Sequence, residues 1–218
     1  MISVLCYGDS NTYGQRSEEV DKGRWPAEVR WTGQLAAFLG GGYHVLEEGL
    51  GGRTTDLDYP ESMNRPGRNG RAYLLPALLS HNPIEVVVLM LGTNDLKIQF
   101  GRTAAEVVAA IGRLLEDIAE YGRTEAGQPP KVVLVSPAHI DVAAPDFADV
   151  NGASYDTTSA AKAKQLAEPL AELAAAHGAT FVDAAAVAET GADGTHFSVP
   201  SHGRFARVIA DEVRRVTG

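Results

Sequence analysis

Five apolar, β-branched runs punctuate the chain: "ISVLCYG" (2–8), "YHVLEEG" (43–49), "EVVVLMLG" (85–92), "KVVLVSP" (131–137) and "ATFVDA" (179–184). The middle runs are continuous where a half-exposed strand would alternate, which is the pattern of strands buried on both faces. Helical patterns separate them. Trp31, Leu35, Phe38 and Leu39 recur at helical spacing and stop at three glycines, 40–42. Thr103 and Glu106 form a capping box, after which Val107, Val108, Ile111, Leu114, Leu115 and Ile118 make one apolar face that ends at Gly122. A further helix is expected over about 158–176 despite Pro169, and a last one over about 201–216 through Phe205, Val208, Ile209 and Val213. Strands and helices alternating five times imply a parallel sheet covered on both faces, because each right-handed crossover lays a helix over the sheet. The expected fold is a three-layer α/β/α sandwich on a five-stranded parallel sheet, in the common doubly wound order 2-1-3-4-5.

At 218 residues with 44% hydrophobic content, the chain is expected to form a single domain spanning 1–218. A formal charge of -9, with no basic cluster standing out, argues against a nucleic-acid partner. The single cysteine, Cys6, excludes an internal disulfide and a multi-cysteine zinc site, and no His-x-x-x-His or carboxylate cluster marks another metal. No run is long enough for a membrane span and no signal peptide fits ahead of a motif beginning at Gly8, so a cytoplasmic location is expected. The segments 15–30, 56–71 and 140–156 carry little periodicity and many Gly, Pro, Asn, Asp and Arg residues. They are expected to be long loops above the sheet.

Ligands of open α/β sheets collect at the carboxyl ends of the strands. Those ends read Gly8-Asp9-Ser10-Asn11, Gly49-Leu50-Gly51-Gly52-Arg53 and Gly92-Thr93-Asn94-Asp95, and "DGTHF" follows the fifth strand. In a 2-1-3-4-5 sheet the first three converge, bringing Ser10, Gly52 and Asn94 to one crevice. A serine hydroxyl needs a base within reach, and the base needs an orienting group; His196 and Asp193 supply that pair. A tetrahedral intermediate needs donors for its oxyanion, and the Asn94 amide and the backbone N–H groups of Gly52 and Ser10 fit that need. Spacing alone does not bring His196 to Ser10, since the fifth strand lies at the far edge of such a sheet.

These residues in this order resemble the four sequence blocks of the SGNH (GDSL-type) hydrolases: "GDSN" with Ser10, "GLGGRTT" with Gly52, "GTND" with Asn94, and "DGTHF" with Asp193 and His196. "VRWTG", "VLEEGLGGRTT" and "VLMLGTND" further resemble the bacterial arylesterase/acyltransferase branch. The resemblance implies that residues 184–200 return across the strand ends, completing a Ser10-His196-Asp193 triad that acts on small carboxylic esters of acetyl or other short acyl groups, aryl or carbohydrate. It implies no cofactor, and it suggests a homo-oligomer. The alternatives are acyl transfer to an alcohol or peroxide at the same site, and a decayed binding protein on the same fold. Gly52 keeps the broad family pattern where some arylesterase-branch members carry alanine, so this position lends acyl transfer no support. Asn11 (where the family signature has leucine), Trp25 and His139 are expected to line the substrate pocket. His139 is a rival base, whereas His44, His81, His177 and His202 are expected to be ordinary, and Arg53 and Asp95 to make structural bonds near the site.

Overall fold

The computed structural model describes residues 1–218, the side chain of Val20 excepted. Five strands, β1 (Ile2–Gly8), β2 (Tyr43–Gly49), β3 (Val86–Met90), β4 (Lys131–Ser136) and β5 (Thr180–Asp183), form one all-parallel sheet. Its order is 2-1-3-4-5, as expected. β1 and β3 sit inside the sheet and are apolar without interruption because both faces are covered. Successive side chains divide between the layers. Val4 and Cys6 of β1 and Val86, Val88 and Met90 of β3 enter one core; Leu5, Tyr7, Val87 and Leu89 enter the other.

On the first face lie α2 (Trp31–Leu39) and, as the last helix of the chain, α8 (Val199–Thr217). Trp31, Leu35, Phe205, Ile209 and Val213 fill that layer, with the Trp31 and Phe205 rings edge to face at 5.1 Å. The other face is covered by α3 (Gly70–His81), α4 (Ala104–Tyr121) and α7 (Ala167–Ala176), through Leu74, Leu78, Ile111, Leu114, Ile118 and Leu170. The Thr103 capping box forms as its sequence predicts: Glu106 N–H donates to Thr103 Oγ1 at 3.2 Å and Thr103 N–H to Glu106 Oε2 at 2.8 Å.

The helix expected over 158–176 is two helices, α6 (Thr157–Ala163) and α7. Pro169 explains the break. Without an N–H it cannot bond to the carbonyl four residues back, and its ring would crowd that carbonyl, so the helix restarts with Pro169 in the first turn of α7, where no such bond is needed. Two short helices also lie in segments that carried no periodic signal: α1 (Ser10–Tyr13) directly after β1, and α5 (Phe147–Val150) inside the 140–156 loop. The 15–30 loop is anchored to the sheet by Arg30, which pairs with Glu47 of β2 at 2.7 Å. Among the described residues no helix is long and apolar enough to cross a membrane.

Candidate active site

Ser10 is the first residue of α1, so the chain turns at the end of β1 and immediately begins a helix. Asp9 makes the turn. Its Oδ1 accepts the Asn11 N–H at 3.0 Å and its carbonyl accepts that of Tyr13 at 2.9 Å. Burial pushes the Asp9 carboxyl above the usual carboxylate range, against the opposing pull of that N–H bond and of His196 and Arg53. The Ser10 N–H makes no bond to protein among the described residues.

Gly52 follows β2 with a φ of +83°, a left-handed conformation that a side chain resists. A Cβ there would also meet the Arg65 guanidinium at 2.8 Å. Its N–H likewise meets no protein acceptor among the described residues. Asn94, after β3, is buried; its Nδ2 donates to the Arg53 carbonyl at 3.1 Å and lies 3.4 Å from Asp9 Oδ2. Arg53 is itself buried, donating to the Gly8 carbonyl at 3.0 Å over the face of Tyr7. Asp95 accepts from the Thr55 N–H and from Arg102, each at 2.9 Å.

The return of residues 184–200, which spacing left open, is made. After β5 the chain crosses back over the strand ends, where Asp193 donates its N–H to the Ser17 carbonyl at 3.2 Å. Gly194, at φ +72°, turns the loop, and the N–H groups of Thr195 and His196 both reach Asp193 Oδ1 at 2.9 Å. The other carboxylate oxygen, Oδ2, contacts His196 Nδ1 directly. Asp193 is wholly buried while His196 keeps one edge open to the cavity.

Ser10, Gly52, Asn94 and His196 all line one cavity of about 520 Å³ above the carboxyl ends of β1, β2 and β3. A second space of about 510 Å³, between the end of α4 and the start of β4, is lined by Leu115, Ile118, Pro129, Pro130 and neighbours, away from the strand ends that carry Ser10, Gly52 and Asn94. Among the described residues no group of three or more His, Cys, Asp or Glu side chains could hold a metal ion.

The three residues expected to line the pocket stand elsewhere. Asn11 is buried, with its amide spent inside the protein: Nδ2 donates to the Thr195 carbonyl at 3.0 Å and Oδ1 accepts the Phe197 N–H at 2.8 Å. Trp25 lies under the Arg16 guanidinium at 4.2 Å and is not in the cavity wall. His139 is exposed beyond β4 and also outside that wall. Conversely, sequence reading passed over Arg65, Arg68, Lys97, Asn151 and Tyr155, which do line it. They belong to loops or isolated turns, where no periodicity announces which way a side chain faces. His202, expected to be ordinary, is fully buried in α8; its Nδ1 accepts the Trp31 N–H at 3.2 Å, and burial holds its pKa down to about 4.

The model of the GDSL-like lipase/acylhydrolase family matches residues 6–204. Comparison with curated proteins gives no match. Among solved structures, a carbohydrate acetylesterase from Sinorhizobium meliloti is 38% identical, with a TM-score of 0.87 over 99% of this chain and 100% of that one. The M. smegmatis aryl esterase is 33% identical, with a TM-score of 0.86 over the same shares of the two chains. A match over most of the chain, with near full-length relatives that are esterases, shows that the chain belongs to the GDSL, or SGNH, family of carboxylic ester hydrolases.

Proposed function

We propose that the chain hydrolyses small carboxylic esters through an acyl-enzyme on Ser10. The observation that carries this reading is the contact of His196 Nδ1 with the buried Asp193 carboxylate, His196 lining the same cavity as Ser10. Held at Nδ1, the imidazole presents Nε2 as the atom that takes the Ser10 proton as Oγ attacks the ester carbonyl. The buried Asp193 carboxylate stabilises the imidazolium that forms. The oxyanion draws the free N–H groups of Ser10 and Gly52 and the Asn94 amide, donors fixed before the charge develops. His196 then returns its proton to the departing alcohol, and water, activated by the same imidazole, releases the acid. The names of the related acetylesterase and aryl esterase support short acyl groups on sugar or aryl alcohols.

A fluorophosphonate should label Ser10 and no other residue, and Ser10→Ala should remove hydrolysis of p-nitrophenyl acetate. Turnover surviving in that variant, or labelling elsewhere, would put the nucleophile at a different residue. A wild-type protein that turns over no ester would leave only the fold.

A further inference from the structure

The cavity wall is basic in an acidic protein. The sequence carries 28 Asp and Glu against 19 Lys and Arg, yet the wall holds Arg65, Arg68 and Lys97 and not one carboxylate. None of the three forms an ion pair among the described residues, whereas Arg24, Arg30, Arg71, Arg102, Arg113 and others all do. The buried carboxylates of these strand ends stand behind the wall: Asp9 accepts the Asn11 N–H and lies near enough to act on Lys97, and Asp95 bonds Thr55 and Arg102.

Lys97 is the most telling of the three. It is only 8% exposed, and its Nζ has one hydrogen-bond partner, the Tyr59 hydroxyl at 3.1 Å. Burial and the nearby Arg65 hold its pKa down to about 8, against the partial pull of the buried Asp9 carboxylate. An ammonium removed from water is costly unless a counter-charge meets it. Arg65 lies against the same Tyr59 ring, its guanidinium carbon 5.6 Å from the centroid and Lys97 Nζ 5.3 Å from it. Two like charges are thus held on one aromatic ring. Arg65 also reaches over Gly52, where a Cβ would meet its Nη1 at 2.8 Å, so the cationic patch begins beside the expected oxyanion donors. Arg68 extends it, its guanidinium held by Nε on the Gly51 carbonyl and Nη1 on the Pro66 carbonyl, each at 2.9 Å.

We propose that this site selects esters carrying a second, anionic group, a carboxylate, sulfate or phosphate, received by Arg65, Arg68 and Lys97 beside the bond that is cleaved. The inference rests on the reading of the cavity as an ester-hydrolysis site and names the class of ester. Arginine forks suit such oxygens because they donate two bonds in one plane, and a charge-assisted bond is about twice as strong as a neutral one.

The test compares matched esters. The charge is placed on the acyl half with p-nitrophenyl hydrogen glutarate against its methyl ester, and on the alcohol half with an acetylated sugar phosphate against the acetylated sugar. Wild-type kcat/KM should favour the charged member in at least one pair by about tenfold, mostly through KM. The preference should shrink between about 0.1 and 1 M salt, as the screening length falls from about 10 to 3 Å. Arg65→Gln, an exposed position that does not threaten folding, should collapse the ratio, with Arg68→Gln and Lys97→Met doing the same. Hydrolysis of the neutral esters with no charged preference in either pair would overturn the proposal and leave the esterase reading standing. Equal losses on charged and neutral esters in Arg65→Gln would assign that guanidinium to the carbonyl oxygen, which also overturns it. Absence of turnover on all four esters would remove both readings.

Discussion

Phe197 donates its backbone N–H to the side-chain oxygen of Asn11 at 2.8 Å, joining the residue after His196 to the residue after Ser10. The Asn11 amide nitrogen holds Thr195 on the other side, at 3.0 Å. One buried amide therefore grips the histidine loop on both sides of the imidazole, and sets its position relative to the serine turn.

Asn11→Ala should accordingly lower kcat by about ten- to a hundredfold with little change in KM, since misplacement of a catalytic group by about 1 Å can cost that much. Asn11→Asp keeps the acceptor for Phe197 but loses the donor to Thr195, and should fall between. Steady-state kinetics on p-nitrophenyl acetate, with thermal melts beside them, read the two effects separately. A variant that melts earlier but keeps wild-type kcat would make Asn11 a purely structural bond.

Asn94→Ala removes the amide proposed above as an oxyanion donor, which in the resting site faces the Arg53 carbonyl and Asp9. Its kcat should drop on the order of 10² or more, with KM nearly constant. An effect confined to KM would assign the Asn94 amide to substrate binding in the ground state.

His196→Ala should abolish turnover and Asp193→Ala should leave a residue of it, while His139→Ala, exposed and outside the cavity wall, should match wild type. Kinetics of the three variants under one set of conditions settle the base. A large loss in His139→Ala would reopen its candidacy.

Gly194→Ala combines two penalties. At φ +72° an alanine is strained, and its Cβ would come within 2.1 Å of the Asp141 carbonyl oxygen. A stability loss of about 1–3 kcal/mol is expected from the backbone alone, read as a lower urea midpoint, together with a fall in kcat because the turn carries Asp193 and His196. Wild-type values for both would show that the turn can open without cost.

Stability should depend on pH through His202. Burial lowers its folded pKa to about 4 from the 6.5 of a free imidazole side chain, so between those values the unfolded chain binds the extra proton. The contribution is complete above pH 6.5, declines as pH falls, and is lost by pH 4, about 3 kcal/mol in all. The Asp95 carboxyl, pushed up to about 6 by burial, slopes the opposite way over much of that window. The informative measurement is the difference between wild type and His202→Asn in urea melts. The advantage of the wild type should widen from pH 4 to 6.5, and a constant difference would show that His202 is not held neutral.

The parts of the fold that were legible are those with a local cause. β1 and β3 announce themselves as uninterrupted apolar runs because both faces are covered, and Thr103 with Glu106 marks the start of α4 within four residues. The four strand-end motifs were readable because a 2-1-3-4-5 sheet brings three of them together. What escaped depends on distant partners. Nothing near Asn11 reveals that its amide meets residues 195 and 197, nor does the loop around Arg65 reveal which way the guanidinium faces. His202 was within reach of sequence reading: it lies on the same helical stripe as Phe205, Ile209 and Val213, which face the core.

The Asn11 bridge spans 186 positions of sequence. Closing so distant a contact comes after the sheet has assembled, because the intervening strands must first bring the two ends of the chain together. During refolding, helix and sheet signals should therefore recover before ester turnover does. Ester turnover would then serve as a reporter of long-range closure between the two ends of the chain.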